Sequence, residues 1–278
     1  MKNNSDFVKL SDVKSAGLRY IEIPVFSDFS DIVAGFTTRF GGVSEGDYAT
    51  LNLNFNRPDP RENVLENFRR LSVDLGIPLE NMVVSHQTHT KNVMHVSAAH
   101  AGMGITRDRS YTNIDGLLTS EKNLLLVTHY ADCVPLYFYD PAKSVIALVH
   151  SGWRGTLMDI GGETVRELKR IYGSNAGDLI VAFGPHIRNC CFEVDRDVAD
   201  AFKDKFIFAQ EYMSHRSDGK WLIDLEGLIS ENLERQGVNS DNIYGCSICT
   251  KCNNDIFFSH RGSNGRTGTA AAFMMIKG

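Results

Sequence analysis

The chain has 278 residues, 42% hydrophobic and 23% charged, a balance that can bury a sizeable core and excludes a disordered or fibrous protein. Its net charge of −5 comes without a basic stripe, so no nucleic-acid partner is expected, and an anionic ligand must be met by locally placed Arg, Lys or N–H groups. The opening MKNNSDFVKLSDVKSAG lacks the apolar core of a signal peptide, and no apolar run reaches the roughly 18 residues of a membrane span. A cytoplasmic protein is expected, in which the six cysteines are thiols or metal ligands and not a disulfide framework.

One domain over 1–278 is the economical reading, with 1–20 as a loosely packed lead-in. From Ile21 to Thr38 the pattern is strand-like, followed by Arg39 and the paired Gly41-Gly42, which suit a tight turn or close approach to a ligand. The spacing of Val64, Leu65, Phe68 and Leu71 predicts a helix over 63–75. A short strand at 82–84 leads to His86 and His89. Residues 98–113 are Gly-bearing and poorly periodic, and read as a mobile loop near the site. Ile114 to Thr119 returns to a sheet.

Three apolar runs follow, at 124–127, 134–139 and 145–149, each with the length and composition of a buried strand. Their ends carry Asp132-Cys133 and His150, where bland turns would be usual. A helix over 157–171 comes next, with Gly152, Arg154 and Gly155 at its start, a place where free N–H groups favour phosphate. A strand at 178–183 precedes Cys190-Cys191, read as core thiols because adjacent cysteines chelate one ion with difficulty. Helices are expected at 195–205 and 225–236. Cys246, Cys249 and Cys252 resemble half a zinc knuckle, but no second Cys/His pair nearby completes it. They read as a thiol-rich turn under the sheet.

His89, Cys133 and His150 each lie at or beyond a strand end, so neighbouring strands of one sheet could bring them together. One thiolate and two imidazoles form a donor set for zinc or copper, and three protein ligands leave a position open, as in catalytic sites. Without a metal, the same residues allow Cys133 as nucleophile and His150 as base. Spacing does not choose between these.

The segments FTTRFGGVS (36–44), QTH (87–89), DGLLT (115–119), ADCVP (131–135), HSGWRGT (150–156), FGPHI (183–187), CCFEV (190–194) and FFSHR (257–261) occur together and in order. In these the chain resembles the bacterial laccase-domain family, the multicopper polyphenol oxidase-like proteins, understood as zinc-dependent purine nucleoside phosphorylases. The resemblance implies an α+β fold, with mixed sheets in the core and helices outside, related to cysteine hydrolases. It implies metal ligands at His89, Cys133 and His150, and purine nucleosides and phosphate as substrates. The implied activities are phosphorolysis of adenosine, inosine, guanosine and methylthioadenosine, and hydrolytic deamination of adenosine.

For that chemistry Asp132 is the expected general base, and Arg39, Gly152, Arg154, Gly155 and Arg261 the expected phosphate ligands, with His260 beside them. The rivals are copper-dependent phenol oxidation, a cysteine-nucleophile hydrolase or deamidase, and a metal-stabilised binding module with a closed site. A blue oxidase needs a His-rich trinuclear cluster, and nine histidines without a His-x-His pair serve it badly.

Overall fold

Both faces of the two main sheets are covered, which is why their strands read as unbroken apolar runs and not as alternating ones. The computed structural model describes residues 18–278. Most of the expected lead-in (1–20) lies outside the described residues; within its last three, Leu18 and Tyr20 are buried.

Numbered along the chain, the strands begin with β1 (Tyr20–Glu22), β2 (Ile32–Thr37), β3 (Met82–Val84), β4 (Val93–His95) and β5 (Gly116–Thr119). β6 (Leu125–Tyr130), β7 (Val134–Asp140), β8 (Val145–Ser151) and β9 (Ile180–Phe183) form the centre. The short β10 (Glu193–Val194), β11 (Met213–His215), β12 (Trp221–Ile223) and β13 (Ile243–Tyr244) precede the last, β14 (Ala270–Ile276). The helices are α1 (Arg61–Leu75), α2 (Trp153–Leu157), α3 (Ile160–Tyr172), α4 (Arg196–Lys205) and α5 (Leu225–Arg235).

One sheet has the order β1-β2-β14-β6-β3 and the other β13-β9-β7-β8-β5-β4, with β10-β12-β11 as a small third. Parallel pairs (β3 with β6, β4 with β5, β9 with β13) join otherwise antiparallel neighbours, so the sheets are mixed and the class is α+β. Side chains alternate across each strand. Tyr137, Tyr139, Ile146 and Leu148 of the six-stranded sheet meet Leu126, Ala272 and Met274 of the five-stranded one. Leu136, Phe138, Ala147 and Val149 point the other way, onto α3, α4 and α5. Val127, Phe273 and Met275 face α1. The order of layers is therefore helix, sheet, sheet, helices.

Three expectations change. The helix expected over 157–171 is broken: α2 stops at Leu157, and Asp159, in the left-handed region at φ 59°, caps α3 by accepting from Gly162 N–H at 3.1 Å. Residues 98–113 are packed and fastened. Met103, Ile105 and Tyr111 are buried, and Arg109 Nε and the Tyr111 hydroxyl both donate to the Val84 carbonyl. β14, which sequence reasoning left without an element, lies at the middle of the five-stranded sheet. Its alanines have weak strand propensity, and burial between two layers overrides that.

The paired glycines serve chain packing. A Cβ on Gly42 would overlap the Thr50 carbonyl, so that approach admits only glycine. The loop over 43–54 is further held by Asn67 of α1, wholly buried, whose amide donates to Ser44 Oγ at 2.9 Å and Asn52 O at 2.8 Å while accepting from Val43 N–H at 2.8 Å. Removing that amide strands several buried polar groups, each costing about 1–3 kcal/mol. Asn67→Ala is expected to destabilise by about 3 kcal/mol, read as a fall of several degrees in Tm by thermal unfolding. An unchanged Tm would show that the loop is held by other means.

Candidate metal centre and its cleft

β7 and β8 form an antiparallel hairpin with Val134 opposite Ser151 and Pro135 opposite His150. Asp140 closes its turn by accepting from the N–H groups of Ala142 and Lys143. Cys133, just ahead of β7, is thereby set beside the end of β8. His89 arrives differently. It sits in the loop from β3 to β4, which belong to different sheets, at φ 63°. Convergence of strands in one sheet thus accounts for Cys133 and His150, and a loop crossing between sheets accounts for His89.

The ligand atoms of His89, Cys133 and His150 lie within 4.8 Å of one another. Cys133 Sγ is 4.0 Å from His89 Nε2, and the two imidazole rings are 5.0 Å apart at 76°. Donors around a tetrahedral zinc sit about 3.5 Å apart, so a small contraction would seat an ion. The cradle admits no extra atom: a Cβ on Gly152 would be 2.8 Å from His89 Cδ2 and 3.1 Å from Cys133 Sγ.

Asp115, absent from the expected site, organises this centre. Its Oδ1 pairs with His150 Nδ1 at 2.8 Å and accepts from His89 N–H at 3.0 Å. Its Oδ2 accepts from the N–H groups of Thr88 and Thr90 and from the Thr90 hydroxyl. Burial pushes this carboxyl up, but the bonds from His150 and Thr90 outweigh it and bring it down to about 2. An ionised carboxylate only accepts, so His150 Nδ1 carries the proton and Nε2 is turned toward Cys133. Burial also pushes the Cys133 thiol up, yet His150 and His89 lower it to about 6. For His150 burial lowers the value, and Cys133 and Asp115 raise it to about 9. At neutral pH the pair is thiolate and imidazolium.

These donors open into a cleft of about 550 Å³ whose wall includes Trp153, Phe192, His260 and Arg261. Of the expected phosphate ligands, Gly152 and Arg261 line it. Arg39, Arg154 and Gly155 do not. Arg39 donates to the carbonyls of Ala49 and Asn254 and lies over Phe258, cross-linking two loops. Arg154 is exposed, its guanidinium 4.2 Å from the Trp153 ring centre, and Gly155 is buried within the five-residue α2. Asp132 lines the cleft, but both its oxygens are engaged, by the Thr250 hydroxyl at 2.7 Å and by Arg261 N–H at 2.6 Å. It positions the 250–261 loop and is not free to serve as the expected base.

Sequence reasoning missed two further cleft residues. Arg57 lines the cleft with its buried Nε lacking a partner among the described residues, and burial lowers its pKa. His129 lines it with Nε2 likewise unpartnered, and burial, then the Arg109 cation, lower it to about 3, so it is neutral. Neither stands in a recognisable motif. The signal for Asp115 was an acid opening an apolar strand in IDGLLT, where burial demands several donors.

Among the described residues, the other group able to hold a metal is a set of four cysteines, and no helix is long and apolar enough to cross a membrane. The crystal structure of YlmD from Geobacillus stearothermophilus has a TM-score of 0.89 at 34% identity, covering 98% of this chain and 100% of that one. That of the Bacillus licheniformis hypothetical protein YfiH has a TM-score of 0.88 at 32% identity, covering 93% and 96%. Purine nucleoside phosphorylase YlmD of Bacillus subtilis is 34% identical over 248 residues, 89% of each chain. Residues 33–277 match the family model described as multi-copper polyphenol oxidoreductase laccase, and the chain belongs to that family.

Proposed function

We propose that this protein is a zinc-dependent purine nucleoside phosphorylase acting on adenosine, inosine, guanosine and methylthioadenosine, with hydrolytic deamination of adenosine at the same site. The observation that carries the reading is a three-donor centre, His89, Cys133 and His150, at the wall of a nucleoside-sized cleft that also holds an unpartnered arginine nitrogen. The phosphorylase name of the Bacillus subtilis relative supports it.

In this reading Arg57 and Arg261 hold the phosphate, since guanidinium forks match its oxygens and Arg57 Nε has no other partner among the described residues. Trp153 and Phe192 offer aromatic faces to the purine. His89, Cys133 and His150 hold the zinc, with Asp115 fixing the His150 tautomer. When bound, that ion supplies a Lewis acid for the negative charge that develops on the departing purine or during attack on its amino-bearing carbon. Orientation of phosphate toward the anomeric carbon is the task of the chain's own cations. Copper also suits these donors, but the described residues hold no His-rich cluster for a multi-copper oxidase. A second reading, a cysteine-nucleophile hydrolase or deamidase, draws on the Cys133 thiolate and His150 imidazolium.

Purified protein assayed for bound metal and incubated with adenosine is expected to hold zinc at the trio and release adenine only with phosphate. Inosine formed without phosphate reports the deaminase. Cys133→Ala and His89→Ala are expected to lose that zinc and both products. Turnover that survives a chelator but stops on alkylation of Cys133 would replace this reading with the hydrolase.

Asp115→Asn keeps the shape but removes the charge that sets the His150 tautomer. Zinc affinity is expected to fall roughly 10–100-fold, measured by competition with a chromophoric chelator, and an unchanged affinity would remove Asp115 from this role.

Zinc affinity should also depend on pH. Between about 6 and about 9 Cys133 is already a thiolate, whereas His150 carries a proton that the ion must displace. Apparent affinity is therefore expected to rise about tenfold per pH unit across this window, flatten above it, and fall more steeply below it as the thiol protonates. Chelator competition across the range reads the slope. A flat profile would mean that His150 gives up no proton to the ion.

A further inference from the structure

The chain carries a second set of metal-capable side chains. Cys190 and Cys191 occupy the turn at 189–191 after β9, and Cys249 and Cys252 form a Cys-x-x-Cys turn in the 249–256 segment. Their four sulfurs lie within 4.8 Å of one another. Cys191 Sγ is 3.4 Å and Cys190 Sγ 3.7 Å from Cys252 Sγ. A disulfide would need about 2.05 Å. Four thiolates about 2.3 Å from a tetrahedral zinc stand about 3.8 Å apart. The two shortest separations are close to that value, and all four sulfurs fall within a sphere that one ion can reach.

We propose that Cys190, Cys191, Cys249 and Cys252 bind a second zinc ion, in a closed four-thiolate structural site. The sixth cysteine, Cys246, is buried and outside the set. The N–H groups of Arg188 and Cys252 are hydrogen-bonded to the Cys249 sulfur, a contact of the kind that stabilises a metal-bound thiolate.

The placement gives the ion a structural task. The segments that carry the two turns already touch through the bridge between His186, three residues ahead of the first turn, and Cys249, and Thr250 N–H donates to His186 O. The first turn runs into Phe192, and the second segment runs on to His260 and Arg261, all on the cleft wall. An ion joining the turns would clamp one side of the cleft from behind, which is the work of a closed site with no open position.

The test is a metal count that does not depend on nucleoside turnover. Protein purified under reductant in zinc, then freed of loosely held metal, is expected to carry about two zinc ions per chain, against about one in Cys133→Ser, about one in Cys252→Ser, and none in the double variant. Cys190→Ser provides a second removal should Cys252→Ser misfold, with circular dichroism as the check on folding. Cobalt loaded into Cys133→Ser is expected to show intense thiolate-to-metal charge transfer and tetrahedral visible bands. A wild-type count of one that falls to none in Cys133→Ser would overturn the second site while leaving the first intact. So would Cys190→Ser and Cys252→Ser variants that keep the full count, or a disulfide among the four cysteines in the intact mass.

Discussion

The Asp115 carboxylate is buried, charged, and surrounded by donors from two directions, three from the 88–90 backbone and one from the His150 ring. A lone buried carboxylate would cost several kcal/mol. This one is stabilised by making the loop that carries His89 and the strand that carries His150 share one anion. The same bonds set the direction of both histidines, so the spacing of the metal donors and the rigidity of the loop follow from one interaction. His89 at a positive φ, with its N–H bonded to Asp115, is a consequence of that arrangement.

The sandwich behind the site explains why a loop can be held so closely. Two mixed sheets pack face to face through Tyr137, Leu148, Leu126 and Ala272, with helices closing each outer face. Small residues allow the sheets to approach: the Tyr137 hydroxyl crosses between them to the Gly35 carbonyl at 2.8 Å. The β7–β8 hairpin is buried along its length, so Cys133 and His150 leave a support with little freedom. Around it, the cleft is closed by irregular segments, each tied by its own polar contact: 43–57 through Asn67, and 250–261 through Asp132.

The family description speaks of several coppers, while the geometry offers one mixed thiolate–imidazole trio and one all-thiolate set. Thiolate-rich donors suit zinc, and open three-ligand geometry suits Lewis-acid chemistry better than multi-centre electron transfer. Family membership alone does not fix the chemistry, which is argued from the donors themselves. Arg57 and His129 line the cleft and each has a guanidinium or ring nitrogen without a partner among the described residues.

Much of this was legible in the chain alone, and the reason is local. Apolar runs of strand length between 124 and 149 marked the buried sheets, and Cys133 and His150 at their ends are two of the three donors that the structure brings together as a candidate metal centre. Helix α1 followed from periodicity, and α4 and α5 lie where helices were expected at 195–205 and 225–236. The misread parts all depend on distant partners. β14 became a strand only because two layers bury its alanines. Arg39 looked like an anion ligand until its carbonyl partners at 49 and 254 came to meet it. Cys190-Cys191 read as core thiols and Cys246, Cys249 and Cys252 as a separate thiol-rich turn, yet Cys190 is exposed, and only the packing of β9's turn against the 249–256 segment joins four of these cysteines, with Cys191 and Cys252 61 residues apart, into one cluster. Local pattern in the chain was enough to mark the central buried strands and the reactive residues near their ends. The tertiary structure decided which met, because hydrogen-bond donors and thiolates act over a few ångströms, a distance that spacing along a chain does not specify.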